Sequence, residues 1–169
     1  MSKSFDLVAI GSGAAASGVA MKCRMAGWSV AIIDSQPLGG TCAVRGCDPK
    51  KVLVSGAEAV DLAARMRSNG VAGEATINWP DLIAFKRTFT DPVPEKHEHR
   101  YAEKGIHTFH GRARFIGRNT MEVGGDLVEG RYFLIAAGAA PIKLTWRRVL
   151  EDPRGFLEPR PTATQHRSG

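Results

Sequence analysis

Residues 5–34 read FDLVAIGSGAAASGVAMKCRMAGWSVAIID. The run Phe5 to Ile10 is short and mostly apolar, as expected of a strand buried in a parallel sheet. It ends at Gly11-Ser12-Gly13. A helical stretch rich in alanine and valine, Ser17 to Met25, follows and is closed by Gly27. A second apolar run, Trp28 to Ile33, ends on Asp34. Strand, glycine turn, helix, strand and acid in this order form a dinucleotide-binding βαβ unit. Gly11 permits the tight turn, Gly13 lets the backbone approach a pyrophosphate, and Ala16 allows close helix–strand packing. The candidate pyrophosphate cradle is thus Gly11, Ser12, Gly13, Ala15 and Ala16, at the start of a helix with free N–H groups. Asp34 stands where a carboxylate binds ribose hydroxyls, and it would repel a 2′-phosphate, which disfavours NADP at this site. The motif alone admits FAD and NAD alike. A glycine-rich turn in another doubly wound domain would read the same way.

Residues 39–51 read GGTCAVRGCDPKK. Cys42 and Cys47 are five apart, and five positions on an ideal helix turn about 500°, so the two do not share a helix face. They meet only if the first lies just outside the regular helix, a bend that Gly39, Gly40 and Gly46 allow. Pro49 suits the first turn of a helix. The pair is therefore expected at a helix N-terminus, where the helix dipole, Lys50 and Lys51 would lower a thiol pKa. Such a pair suits cycling between dithiol and disulfide. A structural disulfide or unrelated thiols are the plainer readings. No metal site is expected: zinc motifs use shorter spacings and need further ligands, and the one other cysteine is Cys23.

GGTCAVRGCDPKK resembles the redox-active segment of the flavoprotein pyridine nucleotide–disulfide oxidoreductases, the family of glutathione reductase, dihydrolipoamide dehydrogenase, trypanothione reductase and mercuric reductase. It meets each position of that family's G-G-T-C, four residues, C, x, P, x, K pattern. The resemblance covers residues 5 to 144. It implies that the N-terminal fingerprint holds FAD, with Gly40 and Thr41 contributing to the cofactor site. It implies that Cys42 exchanges with substrate, that Cys47 lies against the flavin ring, and that Lys51 reaches the ring near its reactive nitrogen. Gly111 to Ala113 match a family segment whose backbone contacts adenine, which brings in Arg112 and Ala113. Ala136, Ala137 and Gly138 match a turn near the flavin, with Ala137 replacing the family's Thr. NAD(P)H and a disulfide or metal-ion substrate would be partners of a full-length relative, which the family makes a homodimer. An inert fragment, or an NAD-binding module without redox role, are the alternatives.

The expected fold is α/β: a Rossmann-type FAD-binding domain, a parallel sheet with helices plus a small antiparallel meander. Cys23 is expected in the core of the first helix. A helix should run from the cysteines to Met66, and Asn69 and Gly70 end it. Asn78-Trp79-Pro80 starts another, with Leu82, Ile83 and Phe85 on its apolar face. Asp91-Pro92-Val93-Pro94 interrupts it, and Glu95 to Lys104 reads as a charged, exposed helix carrying surface histidines His97 and His99. Ile106 to His110, Arg112 to Ile116, Thr120 to Val123 and Asp126 to Ile135 read as antiparallel strands, with Tyr132 to Ile135 returning to the main sheet.

The 169 residues suffice for one domain and a tail. Hydrophobic content of 43% and a charged fraction of 24% are ordinary for a globule. No apolar run approaches a membrane span, and no secretory signal is read, so a cytoplasmic location is expected. The net charge of +6 is not read as a nucleic-acid footprint, because half of it falls from Ile142 onward and no aromatic stripe accompanies it. Residues 1–144 are expected to form the FAD-binding domain. Residues 145–169, with three prolines and little periodicity, are expected to be an irregular, disordered tail of a truncated or frame-shifted chain.

Overall fold

The computed structural model describes residues 3–139. The expected tail at 145–169 lies outside them. Four strands run parallel: β1 (Lys3–Ile10), β2 (Val30–Asp34), β3 (Ile106–His110) and β6 (Asp126–Ile135). Two short strands, β4 (Arg114–Phe115) and β5 (Thr120–Val123), extend the sheet antiparallel, giving the order β3-β2-β1-β6-β5-β4. The α/β class with a small meander is therefore the observed one. β6 serves both parts, pairing antiparallel with β5 and parallel with β1 along Lys3↔Val128 to Ile10↔Ile135.

The pleat divides the core into two faces. Leu7, Ala9, Val30, Ile32 and Ile106 pack with Ala16 and Ala20 of α1 (Ala14–Met25). Val8, Ala31, Ile33 and Phe109 pack with Met121, Val123 and Val128, so the meander covers the opposite face. Ala16 and Ala20 are one helical turn apart and fully buried, and their small side chains let α1 sit close on the sheet. Cys23 is half-buried against the same cluster, less enclosed than expected.

Two corrections concern the middle of the chain. Ile106–His110 is not a hairpin strand. It is the parallel edge beside β2, paired Val30↔Ile106 through Asp34↔His110. A short apolar run carries no direction of its own; the helices between β2 and β3 make this a crossover connection, which returns the chain parallel. The run expected over Arg112–Ile116 contracts to the two residues of β4. The second correction is α5 (Val93–Glu103), which is not simply exposed. Tyr101 is fully buried in the core, and His97, one turn earlier, is half-buried and contacts the Tyr101 hydroxyl through Nδ1 at 3.3 Å. Burial, then the neighbouring Arg100 charge, holds the His97 pKa below its ordinary value. His99 stays exposed and faces Glu103 at 3.2 Å.

The chain from Gly40 to Thr90 forms three helices: α2 (Gly40–Arg45), α3 (Cys47–Met66) and α4 (Trp79–Thr90). α3 and α4 pack as a pair, with Gly56 against the Leu82 side chain. Leu82 and Ile83 are half-buried as expected, but Phe85 is exposed and lies edge-to-face with Phe89. Among the described residues no helix is long and apolar enough to cross a membrane.

Candidate functional site

The site is built at the C-terminal edge of the parallel strands, where α/β sheets bind ligands. Gly11 leaves β1 with φ +108°, and its N–H donates to the Ile33 carbonyl at 2.7 Å. A Cβ there would stand 2.2 Å from the carbonyl oxygen of Ala136, at the end of β6. Gly40 (φ +72°) is pressed in the same way on the Cα of Gly13, which a Cβ would approach to 2.4 Å. Gly13 differs. Its backbone is extended (φ −72°, ψ −173°), and a Cβ would meet only the Gly40 Cα at 3.9 Å. The space beside Gly13 is open to a ligand, not filled by protein.

Ser12, 1% exposed, ties three segments together. Its N–H and Oγ donate to Asp34 Oδ2 at 2.9 and 2.6 Å, and its Oγ accepts from the Gly39 N–H at 3.1 Å. Asp34 Oδ1 accepts from the Gln36 N–H at 2.9 Å. The carboxylate thus fixes the glycine turn and keeps lone-pair capacity on Oδ1. The adjoining strands are tied to the same edge, with the Gly111 N–H donating to the Asp34 carbonyl and the Ala136 N–H to the Ile10 carbonyl, both at 2.9 Å.

These segments surround a cavity of about 310 Å³. Of the residues expected at the cofactor, Gly11, Ser12, Gly13, Asp34, Gly40, Thr41, Arg112, Ala113, Ala136, Ala137 and Gly138 all line it. Ala15 and Ala16 do not: Ala15 is exposed on the first turn of α1, and Ala16 faces the core. Lys51, on the exposed side of α3, is also outside the lining. Arg45, Ser35 and Gln36 line the cavity although sequence reading passed over them. Nothing marks a single arginine or a short polar turn in sequence; their spacing to Thr41 and Asp34 is the only trace.

The cavity suits a dinucleotide on its own terms. α1 starts with no side-chain cap and no acidic residue in its first turn, so its leading N–H groups and dipole are left for an anion. The open face of Gly13 adjoins that helix start.

Cys42 lies in α2 and Cys47 opens α3, with Gly46 (φ −131°, ψ −106°) breaking the helix between them. A Cβ at Gly46 would meet the Thr41 carbonyl oxygen at 2.9 Å. The first cysteine is outside the long helix as expected, though in a short helix of its own. Both are free, exposed thiols. The expectation of a lowered pKa is overturned for Cys42. Its thiol is pushed above the ordinary value, first by the hydrogen bond to the Cys47 side chain and then by desolvation, with the Cys47 and Asp48 charges adding. The Cys47 backbone N–H pulls the other way without reversing the result. Helix dipole and lysines favour the thiolate, but a neighbouring thiol that interacts with the protonated form works against it.

A raised pKa means less thiolate at pH 7 and slower reaction. In the reduced chain, alkylation of Cys42 should titrate with a midpoint above the roughly 8.5 of a free cysteine. Cys47→Ala removes the hydrogen-bond partner and should lower that midpoint and speed alkylation at pH 7. The check is the pH profile of iodoacetamide labelling by mass spectrometry; identical profiles would reject the shared proton.

Comparison with known proteins bears on this geometry. Residues 5–162 match the profile of the family described as pyridine nucleotide-disulphide oxidoreductase. The chain belongs to this family. Over 145 residues it is 39% identical to the mercuric reductase of Streptomyces lividans, a match covering 81% of this chain and 31% of that protein. Over 144 residues it is 31% identical to the glutathione reductase of Nostoc sp., covering 85% and 31% respectively. Among solved structures, the HOCl-induced flavoprotein disulfide reductase RclA from Escherichia coli superposes with a TM-score of 0.69 at 27% identity, over 82% of this chain and 29% of that one. The chain thus spans about a third of the length of these oxidoreductase relatives.

Proposed function

We propose that the chain binds FAD in the cavity beside Gly13 and carries Cys42 and Cys47 as a redox pair that cycles between dithiol and disulfide. In a full-length relative this would be the centre of electron transfer from NAD(P)H through FAD to the pair and on to a disulfide or metal-ion substrate. The observation that carries the reading is the convergence of five segments on one cavity: the Gly11–Gly13 turn, Asp34, Gly40–Thr41 and the ends of β3 and β6. The match to a family named for pyridine nucleotides and disulfides supports it.

Bound FAD would supply a two-electron carrier next to the cysteines. The Gly11–Gly13 backbone and the start of α1 would hold the pyrophosphate, Asp34 Oδ1 a ribose hydroxyl, and Arg112, Ala113 and the Ala136–Gly138 turn the remaining walls. Lys51 stands one helical turn beyond Cys47, at a spacing that keeps both on one side of α3. In the exchange itself, the Cys42 thiolate attacks one sulfur of a substrate disulfide. That S–S bond breaks, and the leaving half takes a proton. Cys47 then attacks the Cys42 sulfur and expels the second half, so two electrons leave the pair and Cys42–Cys47 becomes a disulfide. The raised Cys42 pKa makes its deprotonation the pH-sensitive part of this sequence.

Two measurements test the reading. FAD titrated into the purified chain should saturate at one equivalent, followed by its visible spectrum, and NAD at the same concentration should leave the signal unchanged. Displacement by NAD would favour an NAD-binding module instead. Mild oxidation should remove two of the three thiols reversibly, leaving Cys23, whereas Cys42→Ser should lose none to an internal bond. Three free thiols after oxidation of the wild-type chain would end the redox reading.

A further inference from the structure

We infer that Arg45 is a binding residue for the pyrophosphate of the dinucleotide, an assignment that rests on the FAD reading above. Thr41 and Arg45 are four apart on α2, so they lie on the same side of that helix, and both line the cavity. Cys42, one position on from Thr41, is not part of the cavity lining. The short helix thus presents its Thr41–Arg45 side to the cavity.

The direction of the side chain follows from helix geometry. Cα–Cβ bonds tilt toward a helix N-terminus, so Arg45 leans back toward Gly40. Five residues of α2 span about 7.5 Å at 1.5 Å per residue, within reach of an extended arginine. Gly40 rests on Gly13, the point where the cavity wall is bare backbone. Extended in that direction, the guanidinium would come within reach of the position the phosphates would take beside Gly13.

Charge points the same way. The ionisable residues lining the cavity are Asp34, Arg45 and Arg112. Asp34 is engaged by Ser12 and Gln36, and among the described residues Arg45 has no carboxylate within salt-bridge distance. A pyrophosphate diester brings two negative charges and offers the planar oxygen pairs that a guanidinium binds with two parallel hydrogen bonds. An unpaired arginine beside an uncapped helix start is a complement to that group, and to no neutral part of the cofactor.

The test compares FAD binding to the wild-type chain, Arg45→Gln and Arg45→Lys at low and high sodium chloride. Arg45 is exposed and outside the core, so the variants should keep the wild-type unfolding midpoint. Arg45→Gln should weaken FAD binding roughly ten- to a hundredfold, the range of a charge-assisted hydrogen bond, and flatten the salt dependence. Arg45→Lys, a point charge without the fork, should fall between. Wild-type affinity and salt dependence in Arg45→Gln would overturn the assignment while leaving the cavity reading intact. Equal weakening in both variants with an unchanged salt dependence would also overturn it, because packing and not charge would then be responsible. Failure of the wild-type chain to bind FAD would remove the underlying reading and this assignment together.

Discussion

A chain carrying Gly13→Val should fold normally and lose FAD. Gly13 has extended backbone angles that any residue adopts, and a Cβ placed on it would touch only the Gly40 Cα at 3.9 Å. The protein therefore has room for the side chain. The ligand does not, since the two γ-carbons of valine would fill the space beside the helix start where the phosphates would sit. Valine is also a poor helix N-cap, which costs about 1 kcal/mol at most relative to glycine and leaves the domain folded. The clash together with the lost backbone contacts should weaken FAD binding on the order of a hundredfold or more, about 2.7 kcal/mol. Gly13→Ala should give an intermediate loss. Flavin titration, paired with urea unfolding of the same samples, separates a blocked site from a broken fold. Equal affinity in Gly13→Val and wild type would sink the placement of the cofactor beside Gly13.

How much of this was legible beforehand depended on whether the constraint was local. The βαβ unit reads directly from residues 5–34, because the apolar runs, Gly11, Gly13, Ala16 and Asp34 each act on neighbours in sequence. The expected contacts at 111–113 and 136–138 came from resemblance, and those residues do line the cavity. Tyr101 and His97 were hidden because α5 is polar in composition, and only the spacing of Val93, His97 and Tyr101 gives an inward side. The direction of β3 was hidden because pairing is decided by what precedes a strand, not by its own five residues. The Asp34–Ser12 bond spans 22 positions, so the carboxylate's second task, holding the glycine turn, is a tertiary fact. The Cys42 pKa failed for the same reason. Helix dipole and lysines could be read along the chain, but the influence of Cys47 on the Cys42 thiol depends on how the break at Gly46 sets one helix against the next.

The opposite result is expected two residues earlier, where Gly11→Ala should cost much of the domain's stability. Gly11 sits at φ +108°, a region L-residues with a side chain rarely occupy, and a Cβ there would be 2.2 Å from the Ala136 carbonyl oxygen and 2.8 Å from its carbon. Neither side can step back cheaply. The Gly11 N–H is bonded to Ile33 at 2.7 Å, and the Ala136 N–H to Ile10 at 2.9 Å, so both are fastened to the neighbouring strand of the sheet. Backbone strain of about 1–3 kcal/mol and overpacking of about 1–3 kcal/mol give a loss of roughly 2–6 kcal/mol, against total stabilities of about 5–15 kcal/mol. With a urea slope of about 2 kcal/mol per molar, the unfolding midpoint should fall by about 1–3 M. Gly13→Ala, whose Cβ meets nothing closer than 3.9 Å, should shift it far less. An unchanged midpoint in Gly11→Ala would mean that the ends of β1 and β6 move apart freely. Such movement would contradict a cavity wall fixed by the Gly11–Ala136 contact, on which the shape of the cavity depends.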